Sequence, residues 1–116
     1  MAKLLYYYEA GSPQLKRNIP VYLSKEGFEL YSITSVNEID SALTEFQPQA
    51  LLVNNESDAV LLSRASTLPI IIIMENIVNT YEINLLFKDI TNPIFIRYSN
   101  DSLDTILNTA KLATTL

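Results

Sequence analysis

The chain has 116 residues, 48% of them hydrophobic, a net charge of -5, and neither cysteine nor histidine. That composition excludes disulfides and thiol catalysis, and removes the commonest general base and transition-metal ligand. An acidic chain of this size does not grip a phosphate backbone by itself, and no apolar run approaches the roughly 18 residues of a membrane span, so the expectation is one cytoplasmic domain over residues 1–116.

The first strand is predicted over Lys3 to Tyr8, two leucines followed by three tyrosines, with a turn at Glu9-Ala10-Gly11. Ser12 has the chemistry of a helix N-cap and Pro13 that of a first helical residue. Leu15, Ile19, Tyr22 and Leu23 recur at the spacing of one helix face, with Lys16, Arg17, Ser24 and Lys25 opposite. Pro20 falls inside that helix, where it removes one hydrogen bond and predicts a kink or a fresh turn. Gly27 is the expected C-terminal cap. Phe28 to Ile33 reads as a second strand, polar enough in its alternation to lie at a sheet edge.

Ser35 and Glu38 match a capping box, and Ile39, Ala42, Leu43 and Phe46 form the stripe of a second helix that Pro48 ends. Ala50 to Val53 and Leu68 to Met74 are short, apolar runs without polar alternation, which marks strands buried on both faces. Between Asn54 and Pro69 lie 14 residues. A parallel crossover needs about a dozen, so the third helix is short, Asp58 to Ala65, with Val60, Leu61 and Leu62 as its apolar part.

Asn79 to Asp89 reads as a fourth helix. Ile77, Val78, Tyr81, Ile83, Leu85, Leu86, Phe87 and Ile90 nearly surround its axis, and such a helix is either deeply buried or part of an interface. Pro93 to Arg97 is a fifth strand. Asn100 or Asp101 caps a last helix with the stripe Leu103, Ile106, Leu107 and Ala110. Strands and helices thus alternate as in an α/β doubly wound parallel sheet, where ligand chemistry gathers at the carboxyl ends of the strands.

At those ends stand Glu9, Asn54, Asn55, Met74 and Glu75. Glu9, Glu56 and Glu75 all follow strands, so they either converge on a cation or are plain acidic turns. The Tyr6-Tyr7-Tyr8 run is either a stacking platform or core with one exposed ring. Gly11 and Gly27 are the only glycines, too few for a phosphate cradle after the first strand.

The alternation, over the whole chain, resembles the receiver domain of two-component response regulators. Ser12 to Arg17 and Tyr22 to Phe28 are similar to the family's first helix and the glycine before its second strand. Glu38 to Leu43 and Gln47 to Asn54 are similar to its second helix and third strand, and Leu68 to Ile72 to its fourth strand. The resemblance implies a five-stranded flavodoxin-like sheet of order 2-1-3-4-5, with a third crossover shorter than the family's. It puts Asn54 at the phosphoacceptor aspartate, Met74 at the hydroxyl residue ending the fourth strand, Arg97 at the lysine of the fifth, and Tyr98 at the proline after it. The family's paired metal-holding acids fall on Tyr8 and Glu9 counting forward from the strand, or on Ala10 and Gly11 counting back from the helix. At most Glu9 survives.

An amide is a poor nucleophile towards phosphorus and offers no charge to Mg²⁺. The implied protein is a pseudo-receiver: not an enzyme, with no catalytic residue, metal or cofactor, signalling by contact without phosphorylation. It would be the N-terminal regulatory part of a response regulator or transcription factor, with a DNA-binding output domain attached or supplied by a partner, and would touch neither nucleic acid nor membrane itself. The family's dimer face of fourth helix, fifth strand and fifth helix would carry Ile83, Leu86, Phe87, Ile90 and Arg97 in a homodimer. Arg97 is expected to pair with Glu9 or Glu75 and lock one conformation. The competing reading is a flavodoxin-like small-molecule-binding domain. A phosphocarrier would want the cysteine or histidine that is missing.

Overall fold

A computed structural model describes residues 2–76 and 79–116. The two apolar runs form neighbouring strands, β3 (Ala50–Val53) and β4 (Ile70–Met74), and every residue of both is buried. The rest of the chain wraps them: β1 (Lys3–Tyr7), α1 (Asn18–Lys25), β2 (Glu29–Ile33), a 3-10 turn (Val36–Glu38), α2 (Ile39–Phe46), α3 (Glu56–Ser63), α4 (Thr80–Phe87), β5 (Ile94–Tyr98) and α5 (Leu103–Thr114). The five strands are parallel, in the order β2-β1-β3-β4-β5.

Strand alternation divides the core into two halves. Leu4, Tyr6, Leu52, Ile71 and Ile73 face α1 and α5, meeting Ile19, Leu23, Ile106, Leu107 and Ala110. Leu5, Tyr7, Leu51, Val53, Ile70 and Ile72 face the other side, meeting Ile39, Ala42, Ala59 and Leu62 of α2 and α3. Each fully buried leucine or isoleucine contributes about 1.5–3 kcal/mol by leaving water. Tyr6 and Tyr7 belong to this core, while the Tyr8 ring packs 5.0 Å from Tyr6 at its margin. The tyrosine run is core with one outer ring. No described helix is long and apolar enough to cross a membrane.

Several element boundaries differ from the sequence expectation. Ser12 and Pro13 do not start α1; Ser12 N–H closes a turn onto Glu9 O at 2.9 Å, with Gly11 at φ +86°. The Leu15 amide is diverted to the Tyr6 hydroxyl at 2.9 Å, so the helix begins only at Asn18. Pro20 then sits in the first turn, where a helix has no internal partner for an N–H, and no kink is needed. Gly27 follows the helix at φ +104°, and Gly27 N–H to Ser24 O with Phe28 N–H to Leu23 O complete a Schellman cap.

The capping box at Ser35 is replaced by a 3-10 turn: Ser35 Oγ accepts from Asn37 N, and Glu38 N bonds the Ser35 carbonyl. α2 ends instead on Gln47 in the left-handed region, φ 52°, before Pro48. α3 begins at Glu56, not Asp58, because the Asn55 side chain caps it. Ser102, not Asn100 or Asp101, caps α5 by accepting from Thr105 N at 3.2 Å. α4 has no buried residue, so the deep-burial alternative for that helix falls. Ile77 and Val78, assigned to the same apolar segment, lie outside the described residues.

Candidate functional site at the carboxyl ends of the strands

The chain leaves β1 towards β2 on one side and leaves β3 towards β4 on the other, so the two connections diverge above the β1–β3 pair, where doubly wound sheets place their ligands. The loop 8–17 rises from β1, and Asn54 and Asn55 follow the end of β3. The sequence therefore brings Glu9, Asn54 and the β4 end to one rim, as expected.

Asn54 is half-buried and committed on both sides. Its Nδ2 donates to Pro13 O at 2.6 Å, holding the long loop down, and its Oδ1 accepts from Asn55 Nδ2 at 3.1 Å. Asn55 also donates to Asp58 Oδ2 at 2.9 Å and accepts from Asp58 N at 2.8 Å, which fixes the start of α3. The Pro13 contact needs a donor, so an amide makes it and a carboxylate does not.

Asp58, expected only as a helix start, is a buried acid at 6% exposure. The Asn55-x-x-Asp58 spacing of an N-cap was the available signal. Burial pushes its carboxyl above the usual range, the Asn55 bond opposes this, and the Glu9 charge adds to it. The Tyr7 hydroxyl is raised by burial, then by the charges of Asp58 and Glu9. Burial likewise raises Tyr6, partly offset by the Leu15 amide. The rim is thus negative, with neutral phenols beneath it.

Among the described residues no group of three or more acidic, histidine or cysteine side chains is placed to hold a metal ion. The divalent cation that the receiver family's paired acids hold does not fit this donor set: the Asn54 oxygen already accepts from Asn55, and its nitrogen presents hydrogens. Glu9, Glu56 and Glu75 are not assembled into a cluster.

Arg97 pairs with neither Glu9 nor Glu75, contrary to expectation. Glu75 Oε2 accepts from Ser99 Oγ at 3.2 Å, and Arg97 Nε lies 3.6 Å from Asp101 Oδ2 and donates to Ile96 O at 2.7 Å. Strand parity explains it. Phe95 packs on the α5 half of the core and Ile94, Ile96 and Tyr98 on the other, so Arg97 shares the α5 side, beside the loop carrying Asp101. Met74 is buried, and its carbonyl accepts from Ser99 N at 2.8 Å. Lys16 Nζ to Asn100 Oδ1 at 2.9 Å ties the first loop to the last. What stays open is a cleft of about 270 Å³ lined by Asn54, Asn55, Glu56, Met74, Glu75 and Asn76.

On the candidate dimer face, Ile83 and Phe87 are half-buried, and Phe87 packs on the sheet with Ile94 and Ile96. Tyr81, Leu85 and Leu86 are exposed at 72%, 52% and 47%. Ile90 is half-buried at a groove between α3 and α4.

The order β2-β1-β3-β4-β5, helices on both faces and the loop rim above β1 and β3 define a flavodoxin-like receiver fold. Among solved structures the chain is similar to the BeF3-activated N-terminal receiver domain of Klebsiella pneumoniae RstA, with a TM-score of 0.73 and 12% identity, covering 98% of this chain and 99% of that one. No family model matches the sequence, and a search of curated proteins finds no match.

Proposed function

We propose that the chain is a receiver-like signalling module, not an enzyme, that works by protein contact without aspartyl phosphorylation. In this reading it regulates a response regulator or transcription factor in the cytoplasm from an N-terminal position. A DNA-binding output domain is attached or supplied by a partner. The observation that carries the reading is the Asn54 amide bonded to Pro13 O at 2.6 Å, which puts a donor where phosphotransfer needs a nucleophilic oxygen. The likeness to a receiver domain over nearly the whole chain supports the signalling half of it.

The proposed partner surface is a two-fold pairing through α4, β5 and α5, with Leu85, Leu86 and Tyr81 as its exposed apolar residues. Incubation with acetyl phosphate and Mg²⁺ tests the chemistry: the intact mass should not change, and a stable gain of one phosphoryl group overturns the reading. Light scattering tests the pairing: the wild type should be a dimer, and a monomer at high concentration removes that surface.

A further inference from the structure

β2 is a sheet edge, and no described strand pairs with its outer side. Glu29 N bonds Ala2 O, and Tyr8 N bonds Ile33 O. In a parallel ladder both backbone groups of one residue point the same way, so Glu29, Tyr31 and Ile33 serve β1 while Leu30 and Ser32 turn theirs outward. A groove flanks the edge on each face. On the α1 side Pro20, Val21, Lys25, Leu30 and Ser32 line about 530 Å³, with Val21 48% exposed. On the α2 side Tyr31, Glu38, Glu45 and Phe46 line about 350 Å³, and the Tyr31 and Phe46 rings lie 5.4 Å apart.

We propose that this edge docks an extended segment of a partner protein in which basic and apolar residues alternate. An added strand sends successive side chains to opposite faces. One set enters the largely apolar α1 groove. The other enters a groove with two carboxylates and two aromatic rings, which suits lysine or arginine by charge and by cation–π contact. Phe46 already takes one cation on its ring, Lys3 Nζ at 5.3 Å, and that lysine is committed to the Phe46 carbonyl at 3.2 Å. Charge decides between a basic partner and a second copy. Antiparallel pairing of two β2 edges about a two-fold axis would set Glu38 and Glu45 against the same residues, between chains of net charge -5. The docking does not depend on how Asn54 behaves, nor on pairing through α4.

The test is titration of the ¹⁵N-labelled full chain at low salt with an amide-capped peptide of alternating lysine and valine. Saturable shifts of the Leu30 and Ser32 amides are expected. Glu38→Gln with Glu45→Gln should weaken binding about tenfold, the loss of two solvated ion pairs and their cation–π support. Ser32→Pro, which removes an outward N–H that an edge position can spare, should abolish it. A peptide with glutamate for lysine should not bind. Equal binding by a shuffled peptide of the same composition overturns the proposal. So do shifts confined to α4, an unaffected double-glutamine variant, or Leu30 and Ser32 shifts that follow protein concentration without peptide.

Discussion

Asn54→Asp tests the reading of the rim most directly, because it changes one atom type at one contact. The amide donor to Pro13 O becomes an acceptor facing an acceptor. Losing that bond costs about 1 kcal/mol. A new charge close to the buried Asp58, with which it shares the Asn55 amide, adds about 1 kcal/mol at the screening of a partly buried rim. Asn55 still donates to the side chain and limits the loss. The sum is about 2 kcal/mol at pH 7, or about 8 °C in Tm for a chain of this length.

The pH dependence of that loss follows from the same contacts. The new carboxyl has a folded-state pKa raised above its unfolded value. The variant's stability is therefore fully present below the unfolded pKa, about 4, and is lost as pH rises through the folded one. Protonated, the acid donates to Pro13 O as the amide did. Urea unfolding followed by circular dichroism, on wild type and variant at acid and neutral pH, should show a deficit that closes towards about pH 4. Asn54→Ala should lose about 1 kcal/mol with no pH dependence. An Asn54→Asp variant as stable as wild type at pH 7, or equally impaired at both pH values, refutes the argument.

Leu86→Glu should leave the fold intact and give a monomer by light scattering, whereas Ile83→Glu, at a half-buried position, should cost about 2 kcal/mol in urea unfolding. Gln47→Gly should stabilise by about 0.5–1 kcal/mol by the same measurement, because Gln47 holds φ 52°, which glycine adopts without penalty. The Tyr22 hydroxyl, donating to Asp104 Oδ1 at 2.5 Å, is pushed up to about 12 chiefly by that bond. An ultraviolet titration should show Asp104→Asn bringing it back towards about 10. Arg97→Ala should cost at most about 1 kcal/mol, since its ion pair with Asp101 is half-exposed, and should leave amide exchange over α4 unchanged.

β3 and β4 were legible in the sequence because a strand buried on both faces needs an unbroken apolar run, and little else satisfies that at four or five residues. The edge character of β2 showed for the converse reason. The start of α1 was not legible, since it depends on the Tyr6 hydroxyl taking the Leu15 amide, a contact the local sequence does not encode. Three neighbouring residues, Asn100, Asp101 and Ser102, all have cap chemistry, and only the turn geometry selects Ser102. The partner of Arg97 was legible in principle. Counting parity along Ile94–Tyr98 puts it opposite the α4 side and next to Asp101. The bond from Asn54 to Pro13 was beyond reach, because it requires the path of the whole loop 8–17.

The strand order has a consequence for how the chain is made. β1 comes off the ribosome early but ends up between β2 and β3. Once β2 has joined it, the other flank of Leu4, Leu5 and Tyr6 waits unpaired until Ala50 to Leu52 have been synthesised. The layer over Leu4 and Ile71 waits longer still, since Ile106, Leu107 and Ala110 arrive with α5. Nascent intermediates therefore expose an apolar strand edge and an open half-core at once, the combination that favours aggregation. A fragment ending after α3 should be less soluble than the whole chain, and synthesis in cells should lean on chaperones that shield the first strand until α5 has emerged.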